Sequence, residues 1–306
     1  MSIPGQNKSK IAILGTGAVG GFLAALFCRN GYPIVCVDEE NSAALIREQG
    51  LKLESSSLGN FSEKVRIVTK LDAEPDILFI TTKAMVLQEA LKRVPKAKVK
   101  RSIIVPLLNG IEHLDLLRSI FGNGVVAASI GNVELKRISP GHVVHTTKSA
   151  KIEIASHNGI SRSRLENLCK MLNSIGIEAV ILNSEATVLW GKLVRLNAIA
   201  ATTAATGKPI GFVRSDPDWR QKLIGCVSDG VAVAKAEGME MKVESVMESI
   251  DKLPSDLGTS MQRDVMAGKQ SEVDAISGAV VRRGEKHGIK SPNIKAVIAM
   301  IEARGK

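Results

Sequence analysis

The segment KIAILGTGAVGGFLAALFCRNGYPIVCVD, residues 10–38, decides the fold. Its apolar run KIAILG breaks at a glycine, and the following residues show apolar positions at helical spacing up to Asn30 and Gly31, a helix-ending pair. A second short apolar run, PIVCVD, comes next. The order strand, glycine turn, helix, strand fills about 30 residues, which is the size of one βαβ unit.

Three glycines in this segment have the spacing G-x-G-x-x-G between the predicted strand and the predicted helix. In that context Gly15 allows a tight turn, Gly17 lets the backbone approach a pyrophosphate, and Gly20 permits close packing of helix on strand. The first helical residues, Ala18 and Val19, offer free N–H groups at the positive end of the helix dipole. The segment therefore predicts a dinucleotide-binding loop.

Asp38 ends the second strand, about 20 residues beyond the first glycines, where a carboxylate accepts hydrogen bonds from the ribose hydroxyls of NAD. A 2′-phosphate would meet like charge there, and Glu39 and Glu40 add to the repulsion. These carboxylates favour NADH. The alternative is that Arg47 or Lys70 folds back to neutralise them, in which case NADPH is accepted.

Strand-like and helix-like segments alternate up to about residue 182, which predicts an open, doubly wound parallel sheet. The short alternating runs GHVVHTT and SAKIEIAS are expected at an antiparallel edge. After Leu182 only helical periodicity is found. We predict a flexible N-terminal tail (1–9), a Rossmann-type dinucleotide-binding domain (10–182) and an all-α substrate and dimerisation domain (183–306). A length of 306 residues exceeds the roughly 250–300 residues at which one hydrophobic core stops growing.

The composition narrows the class of protein. With 44% apolar residues and no apolar run long enough to cross a bilayer, we expect a soluble protein without a membrane partner, and the polar N-terminus favours a cytoplasmic location. The net charge is +10, but 3% aromatic residues and no long basic block argue against nucleic acid. The densest basic run, residues 92–101, is interpreted as a solvated helix end and loop.

No metal site is predicted, because the five histidines form no H-x-x-x-H pair and no cluster with carboxylates. The four cysteines show no C-x-x-C spacing and are interpreted as core residues.

Two polar side chains follow predicted buried strands in the first half of the chain. Lys83 comes after DILFITT, and Asn109 ends SIIVPLLNG. Ligands of open α/β sheets bind at the carboxyl edge of the sheet, so both residues are candidates for contact with cofactor or substrate. Ordinary turn chemistry is the alternative, since Asn-Gly is a common turn.

The helical half carries a second set of candidates. Lys192 lies on a largely apolar helix, Ser260 and Asp264 are four apart and share a helix face, and Glu272 opens the next helix. A lysine and a carboxylate that reach one cleft would suit carbonyl reduction, in which hydride reaches carbon and a proton must reach oxygen. Solvated surface charge is the alternative for each of them.

An ordered set of motifs resembles the ketopantoate reductase (2-dehydropantoate 2-reductase) family along nearly the whole chain. The matching pieces are LGTGAVG, TTKAMVLQEA, LLNG, LWGKLVRLNA, SMQRD, SEVDAISG and HGIKSPN. The resemblance implies a Rossmann domain followed by a helical domain of the 6-phosphogluconate dehydrogenase type, with the active site in the cleft between them.

The resemblance also implies roles for single residues. Lys192 matches the general acid that protonates the substrate carbonyl oxygen, and Glu272 matches the glutamate that supports it. The implied substrate-binding residues are Asn109, Asn197, Ser260 and Asp264. The expected cofactor-binding residues are Gly15, Gly17, Ala18, Val19, Gly20, Asp38, Lys83, Asn109 and Glu272.

The chain departs from the family pattern at several positions. Members usually prefer NADPH and carry an arginine where this chain has Asp38 and Glu39. Leu257 and Ala201 stand where members commonly have asparagines. The two apolar residues put the identity of the substrate in doubt more than the reaction type.

The spacing of Lys192 and Asn197 is a further departure, because the family spaces this pair four apart and here it is five. On a regular helix five residues turn the side chains about 140° apart, against about 40° for four. Either a π-bulge restores the common face, or one of the two residues is displaced.

The predicted function is NAD(P)H-dependent reduction of 2-dehydropantoate (ketopantoate) to (R)-pantoate, a step of pantothenate and coenzyme A biosynthesis. A reductase of another small 2-oxo acid or ketone is the first alternative, and a non-enzymatic dinucleotide sensor is the second. A homodimer is compatible with the apolar stripes of the helical half.

Overall fold

The structure is a computed structural model that describes residues 8–156 and 159–304. The chain forms two compact units: unit 1 comprises Met1–Leu108 and His113–Glu185, and unit 2 comprises Asn109–Glu112 and Ala186–Lys306. The short segment Asn109–Glu112 thus packs with the helices of unit 2, although it lies within the first half of the sequence. Residues 1–7 of the predicted tail lie outside the described part.

A parallel sheet forms the centre of unit 1. Strands β5, β2, β1, β6 and β7 lie in this order and all neighbours run parallel. The strands of unit 1, in chain order, are β1 (Ile11–Leu14), β2 (Ile34–Val37), β3 (Leu51–Ser55), β4 (Phe61–Glu63), β5 (Arg66–Val68), β6 (Ile77–Ile80), β7 (Ile103–Pro106), β8 (Ala127–Gly131), β9 (Leu135–Ser139), β10 (His142–His145), β11 (Lys151–Ala155) and β12 (Glu178–Ile181). The strand order reverses between β1 and β6, and in such sheets ligands bind at the reversal, outside the carboxyl ends of the strands.

Two smaller sheets, β4-β3-β10-β9 and β12-β11-β8, complete unit 1. The prediction that GHVVHTT and SAKIEIAS form an antiparallel edge was wrong. Strand β10 lies between β3 and β9, and β11 lies between β12 and β8, each with one parallel and one antiparallel neighbour. Alternating hydrophobicity reports which face of a strand is buried, whereas strand neighbours depend on pairing with distant segments. Strands β3, β4, β9 and β12 were not recognised from the sequence.

Helix α1 is apolar all round because it is covered on two sides. The helices of unit 1 are α1 (Ala18–Arg29), α2 (Glu40–Gln49), α3 (Leu87–Leu91), α4 (His113–Phe121) and α5 (Arg162–Ser174). Helix α1 contacts β1 and β2 on one side and β3, β9 and β10 on the other. A Cβ at Gly21 would lie 2.9 Å from Cγ2 of Val143 on β10. The second sheet therefore buries the outer face of α1, which accounts for the run FLAALF.

Unit 2 is helical throughout its described residues, as predicted. Its helices are α6 (Glu185–Thr206, whose first residue belongs to unit 1), α7 (Ile210–Ser215), α8 (Pro217–Ala236), α9 (Val243–Asp251), α10 (Ser260–Met266), a π-helical turn (Asp274–Gly278), α11 (Ala279–Lys286) and α12 (Pro292–Arg304). The carboxylate of Asp216 accepts hydrogen bonds from the N–H groups of Asp218 and Trp219, and Pro217 occupies the first turn. Local capping thus starts α8.

The cysteines are packing residues. Cys36, Cys169 and Cys226 are buried and Cys28 is partly buried, and all four are free thiols. Burial raises the pKa of the Cys226 thiol to about 12, which keeps it protonated and unreactive. Within residues 8–156 and 159–304, no group of His, Cys, Asp and Glu side chains could hold a metal ion, and no helix is both long and apolar enough to cross a membrane.

Candidate active site

The glycine loop between β1 and α1 requires glycine for steric reasons at two of its three glycine positions. Gly15 has a φ of +89°, and a Cβ there would lie 2.7 Å from Cγ2 of Thr82. At Gly20 a Cβ would lie 1.9 Å from the carbonyl oxygen of Gly15, so helix and turn touch directly. A Cβ at Gly17 would meet nothing within 4 Å. The first and third glycines therefore shape the loop, and the second leaves space beside it.

The start of α1 fits a dinucleotide pyrophosphate. Gly17, Ala18 and Val19 are partly exposed, the first turn contains no acidic residue, and no side chain from the described part of the chain caps the helix. Its first N–H groups therefore remain available, at the positive end of the dipole. The loop also follows β1 at the point where the strand order reverses, and Thr82, which it contacts, follows β6.

Alanine substitutions at Gly20 and Gly17 together distinguish the effect of the loop on stability from its effect on NADH binding. We expect Gly20→Ala to lower the free energy of unfolding by about 1–3 kcal/mol, the usual cost of overpacking, and to weaken NADH binding. Gly17→Ala should weaken NADH binding and leave stability nearly unchanged, because its Cβ enters open space. Thermal unfolding and fluorescence titration with NADH measure the two effects. Wild-type NADH affinity in both variants would contradict this loop as the pyrophosphate site.

Asp38 is bound to the glycine loop. Its Oδ2 accepts hydrogen bonds from the Thr16 N–H, at 2.6 Å, and from the Thr16 hydroxyl, and its Oδ1 accepts one from the Glu39 N–H at 2.8 Å. A negative charge is therefore held beside the loop, and Asp38 remains partly exposed. Arg47, a candidate for neutralising this charge, forms an ion pair with Glu40 at 2.8 Å.

Three of the predicted site residues form one hydrogen-bonded chain in unit 2. The Lys192 ammonium on α6 donates to Oδ1 of Asn109 at 3.0 Å, and Nδ2 of Asn109 donates to Oε2 of Glu272 at 3.1 Å. The amide can serve both partners only in this orientation, because an ammonium needs an acceptor and a carboxylate needs a donor. Glu272 is 5% exposed and Lys192 is partly buried.

The surroundings of Lys192 adjust its acidity. Burial lowers the pKa of the Lys192 ammonium to about 8; the Glu272 carboxylate opposes this shift, and the Arg195 guanidinium adds to it. The lysine is therefore still largely protonated at neutral pH and gives up its proton more readily than a solvated lysine. A pKa near the working pH is what general acid catalysis needs.

The backbone around Asn109 is fitted to the π-helical turn that follows Glu272. Gly110 has a φ of +84°, and a Cβ there would lie 2.1 Å from the carbonyl oxygen of Ala275 in that turn. Arg282 binds Glu112 at 2.7 Å and Asp274 at 2.5 Å, and so links the Asn109 segment to the turn. Sequence reasoning did not identify these supports. The Asn109-Gly110 pair was a local signal of a turn, but its partner is 165 residues away.

The structure of helix α6 shows whether a π-bulge brings Lys192 and Asn197, which are five residues apart, onto a common face. It is a regular α-helix throughout, so the two side chains diverge by about 140°. Asn197 is fully buried, and neither polar atom of its amide has a hydrogen-bond partner within the described residues. The π-helical turn of this unit lies at Asp274–Gly278 instead.

The other predicted residues of this set lie on other elements of the chain. Ser260 is exposed at the start of α10 and its hydroxyl forms no hydrogen bond with the described residues, and Asp264 is partly buried on the same helix. Lys83 is exposed in unit 1, before a 3₁₀ turn. Ala201 is fully buried in the core of unit 2, and Leu257 packs against that core.

Comparison with known proteins assigns this chain to a family. The model of ketopantoate reductase PanE/ApbA matches residues 11–159, and the model of its C-terminal part matches residues 186–305. The 2-dehydropantoate 2-reductase of Archaeoglobus fulgidus is 26% identical over 284 residues, which cover 93% of this chain and 94% of that protein.

Solved structures show the same fold. A PanE/ApbA family ketopantoate reductase from Ralstonia eutropha JMP134 is 26% identical and has a TM-score of 0.87, with 97% of this chain and 98% of that one covered. D-mandelate dehydrogenase, solved with NADH and anilino(oxo)acetate, is 21% identical and has a TM-score of 0.89 over the same shares. Because the two family models together match residues of both units, the protein belongs to the ketopantoate reductase family and is an oxidoreductase that uses a nicotinamide dinucleotide.

Proposed function

We propose that the protein reduces the carbonyl group of a small 2-oxo acid, with 2-dehydropantoate to (R)-pantoate, on the route to pantothenate and coenzyme A, as the leading candidate. The observation that carries the proposal is the Lys192 ammonium, bound through Asn109 to the buried Glu272 carboxylate. A protein that only bound a dinucleotide would not need a proton donor of lowered pKa. The glycine loop of unit 1 is the proposed cofactor site.

In the proposed reaction, residues of unit 2 supply the proton that the carbonyl oxygen takes up. When bound, the reduced dinucleotide supplies the hydride that becomes attached to the carbonyl carbon. Lys192 transfers a proton from Nζ to the carbonyl oxygen, which becomes the hydroxyl, and the neutral amine takes up a proton from water afterwards. Asn109 directs the ammonium through its Oδ1, and the negative charge of Glu272 favours the protonated lysine.

The direct test follows the absorbance of the reduced nicotinamide while purified protein meets ketopantoate, with NADH and NADPH in parallel. Rapid oxidation that depends on ketopantoate is expected. The product should be the single enantiomer (R)-pantoate by chiral chromatography. Cofactor binding without oxidation by any 2-oxo acid would overturn the proposal in favour of a dinucleotide sensor.

A second candidate is a reductase of a different 2-oxo acid, which the apolar residues Leu257 and Ala201 favour. Neither side chain can hydrogen-bond a polar substrate tail, and both pack in the apolar core of unit 2. A panel of 2-oxo acids with aliphatic, aromatic and hydroxylated tails separates the two candidates. A kcat/KM for an apolar tail well above that for ketopantoate would select the second.

We further propose that NADH is the preferred cofactor, because Asp38 places a carboxylate beside the glycine loop. Two charges 4 Å apart interact by about 1–4 kcal/mol between bulk water and a protein surface, so Asp38→Asn should change the NADH-to-NADPH ratio of kcat/KM at least about fivefold in favour of NADPH. Glu48→Gln, on the exposed last turn of α2, is the matched control. An unchanged ratio in Asp38→Asn would exclude Asp38 as the selector.

A further inference from the structure

Arg195 lies beside Lys192 on the partly buried face of α6. The two residues are three apart on a regular helix, so their Cβ atoms are about 5–6 Å from each other and on the same side. Both side chains are partly buried. At this spacing the positive charge of the Arg195 guanidinium also lowers the pKa of Lys192. Two cations are therefore placed next to each other where water only partly screens them.

No acidic side chain among the described residues compensates Arg195. Its guanidinium forms no hydrogen bond and no ion pair with any residue in 8–156 or 159–304. Two other arginines of unit 2 are matched by carboxylates: Arg282 binds Glu112 and Asp274, and Arg220 binds Asp251. Glu272, the carboxylate that interacts with Lys192, accepts its hydrogen bond from Asn109. A partly buried guanidinium beside a second cation is unfavourable unless an anion joins them.

We propose that Arg195 binds the carboxylate of the 2-oxo acid substrate, an inference that rests on the proposed function. Lys192 and Arg195 together with Glu272 leave one positive charge, which matches a monoanion. The planar guanidinium presents two parallel N–H donors to a carboxylate. In a 2-oxo acid the carboxylate carbon is bonded directly to the ketone carbon, so a carboxylate at Arg195 brings the ketone oxygen towards its neighbour Lys192. Arg195 then selects 2-oxo acids over neutral ketones.

The test compares ketopantoate with its uncharged lactone in Arg195→Gln and Arg195→Lys. For the acid, kcat/KM should fall about 10- to 100-fold in Arg195→Gln, mainly through KM, as expected for loss of a charge-assisted pair. For the lactone it should stay within about twofold, and Arg195→Lys should lie between wild type and Arg195→Gln for the acid. Lys235→Gln removes an exposed charge of the same unit and should leave kcat/KM unchanged for both substrates. Equal losses for acid and lactone in both Arg195 variants would overturn the proposal.

A second readout distinguishes direct charge from structural damage. Since Arg195 lowers the pKa of Lys192, Arg195→Gln should move the fall of lactone reduction to higher pH. A shift to lower pH would contradict the placement of the two charges.

A binding measurement without turnover separates this inference from the proposed function. Ketopantoate is titrated calorimetrically into protein saturated with the oxidised cofactor. If wild type turns over ketopantoate and Arg195→Gln binds it equally well, the function stands and the role of Arg195 falls. If wild type binds ketopantoate without reducing it, and Arg195→Gln binds it at least about tenfold more weakly, the anion site stands and the function falls. Failure of wild type to bind ketopantoate overturns both.

Discussion

Lys192→Ala is expected to lower kcat for 2-oxo acid reduction by about 10²–10⁴-fold, the range that a positioned general acid contributes. The alkoxide that forms as hydride reaches carbon would then have to take its proton from water. Binding of NADH should be unchanged, because Lys192 is proposed to act on the substrate carbonyl and is not among the expected cofactor-binding residues. Steady-state kinetics and a separate NADH titration measure the two quantities.

Two variants sharpen the interpretation of Lys192→Ala. Lys192→Arg keeps the positive charge but holds its proton at a pKa above about 12, so it should be nearly as inactive if proton transfer is what matters. Lys235→Ala, at the exposed end of α8, should retain full activity. Near-normal kcat in Lys192→Ala, or recovery of most of the activity in Lys192→Arg, would refute the role of Lys192 as the proton donor.

Glu272→Gln is expected to shift the pH dependence of reduction to lower pH. Reduction needs the Lys192 ammonium, so wild-type kcat should fall as the pH rises through about 8. The Glu272 carboxylate raises the pKa of Lys192, and its removal therefore lowers that pKa further. Each unit of decrease in this pKa lowers the protonated fraction of Lys192 about tenfold at pH values above the wild-type pKa. Glutamine can still accept the hydrogen bond from Nδ2 of Asn109, so the geometry is largely kept.

The measurement is the pH profile of kcat for wild type and Glu272→Gln, in both reaction directions. Oxidation of the hydroxy acid needs the neutral amine, so its rate should rise with pH, and in the variant the rise should begin at lower pH. Glu285→Gln, whose exposed carboxylate pairs with Lys295, should keep the wild-type profile. A variant profile that coincides with wild type, or lies at higher pH, would show that Glu272 does not control the proton on Lys192.

Much of unit 1 could be predicted because its signals are local. The strand, turn and helix around Gly15, Gly17 and Gly20 are contiguous in sequence, and Gly15 and Gly20 each have a steric reason within that segment or directly after the neighbouring strand β6. The position of Asp38 could be predicted from the same βαβ unit, because this residue comes directly after strand β2. The helical character of unit 2 follows from periodicity, which depends only on residues a few positions apart.

Several features could not be predicted from the sequence, because they depend on the packing of residues that are far apart along the chain. Strands β10 and β11 became central strands because β3 and β12 pair with them, and neither partner had been recognised. The spacing of Lys192 and Asn197 allowed two outcomes, and only the regular path of α6 places Asn197 in the core. The role of Arg282 in supporting the Asn109 segment could not be predicted, because its partner Glu112 is 170 residues away in the sequence.

The sequence by itself determined the βαβ unit, the glycine loop, the helical second half and, through resemblance, the choice of Lys192, Asn109 and Glu272 as candidate site residues. Only the tertiary structure decided that they form one hydrogen-bonded chain, since Asn109 is 83 residues from Lys192 and 163 from Glu272. The physical reason is that hydrogen bonds and pKa values depend on distances of a few ångströms. Such distances between remote residues are set by the packing of Gly110 on the π-helical turn and by the ion pairs of Arg282.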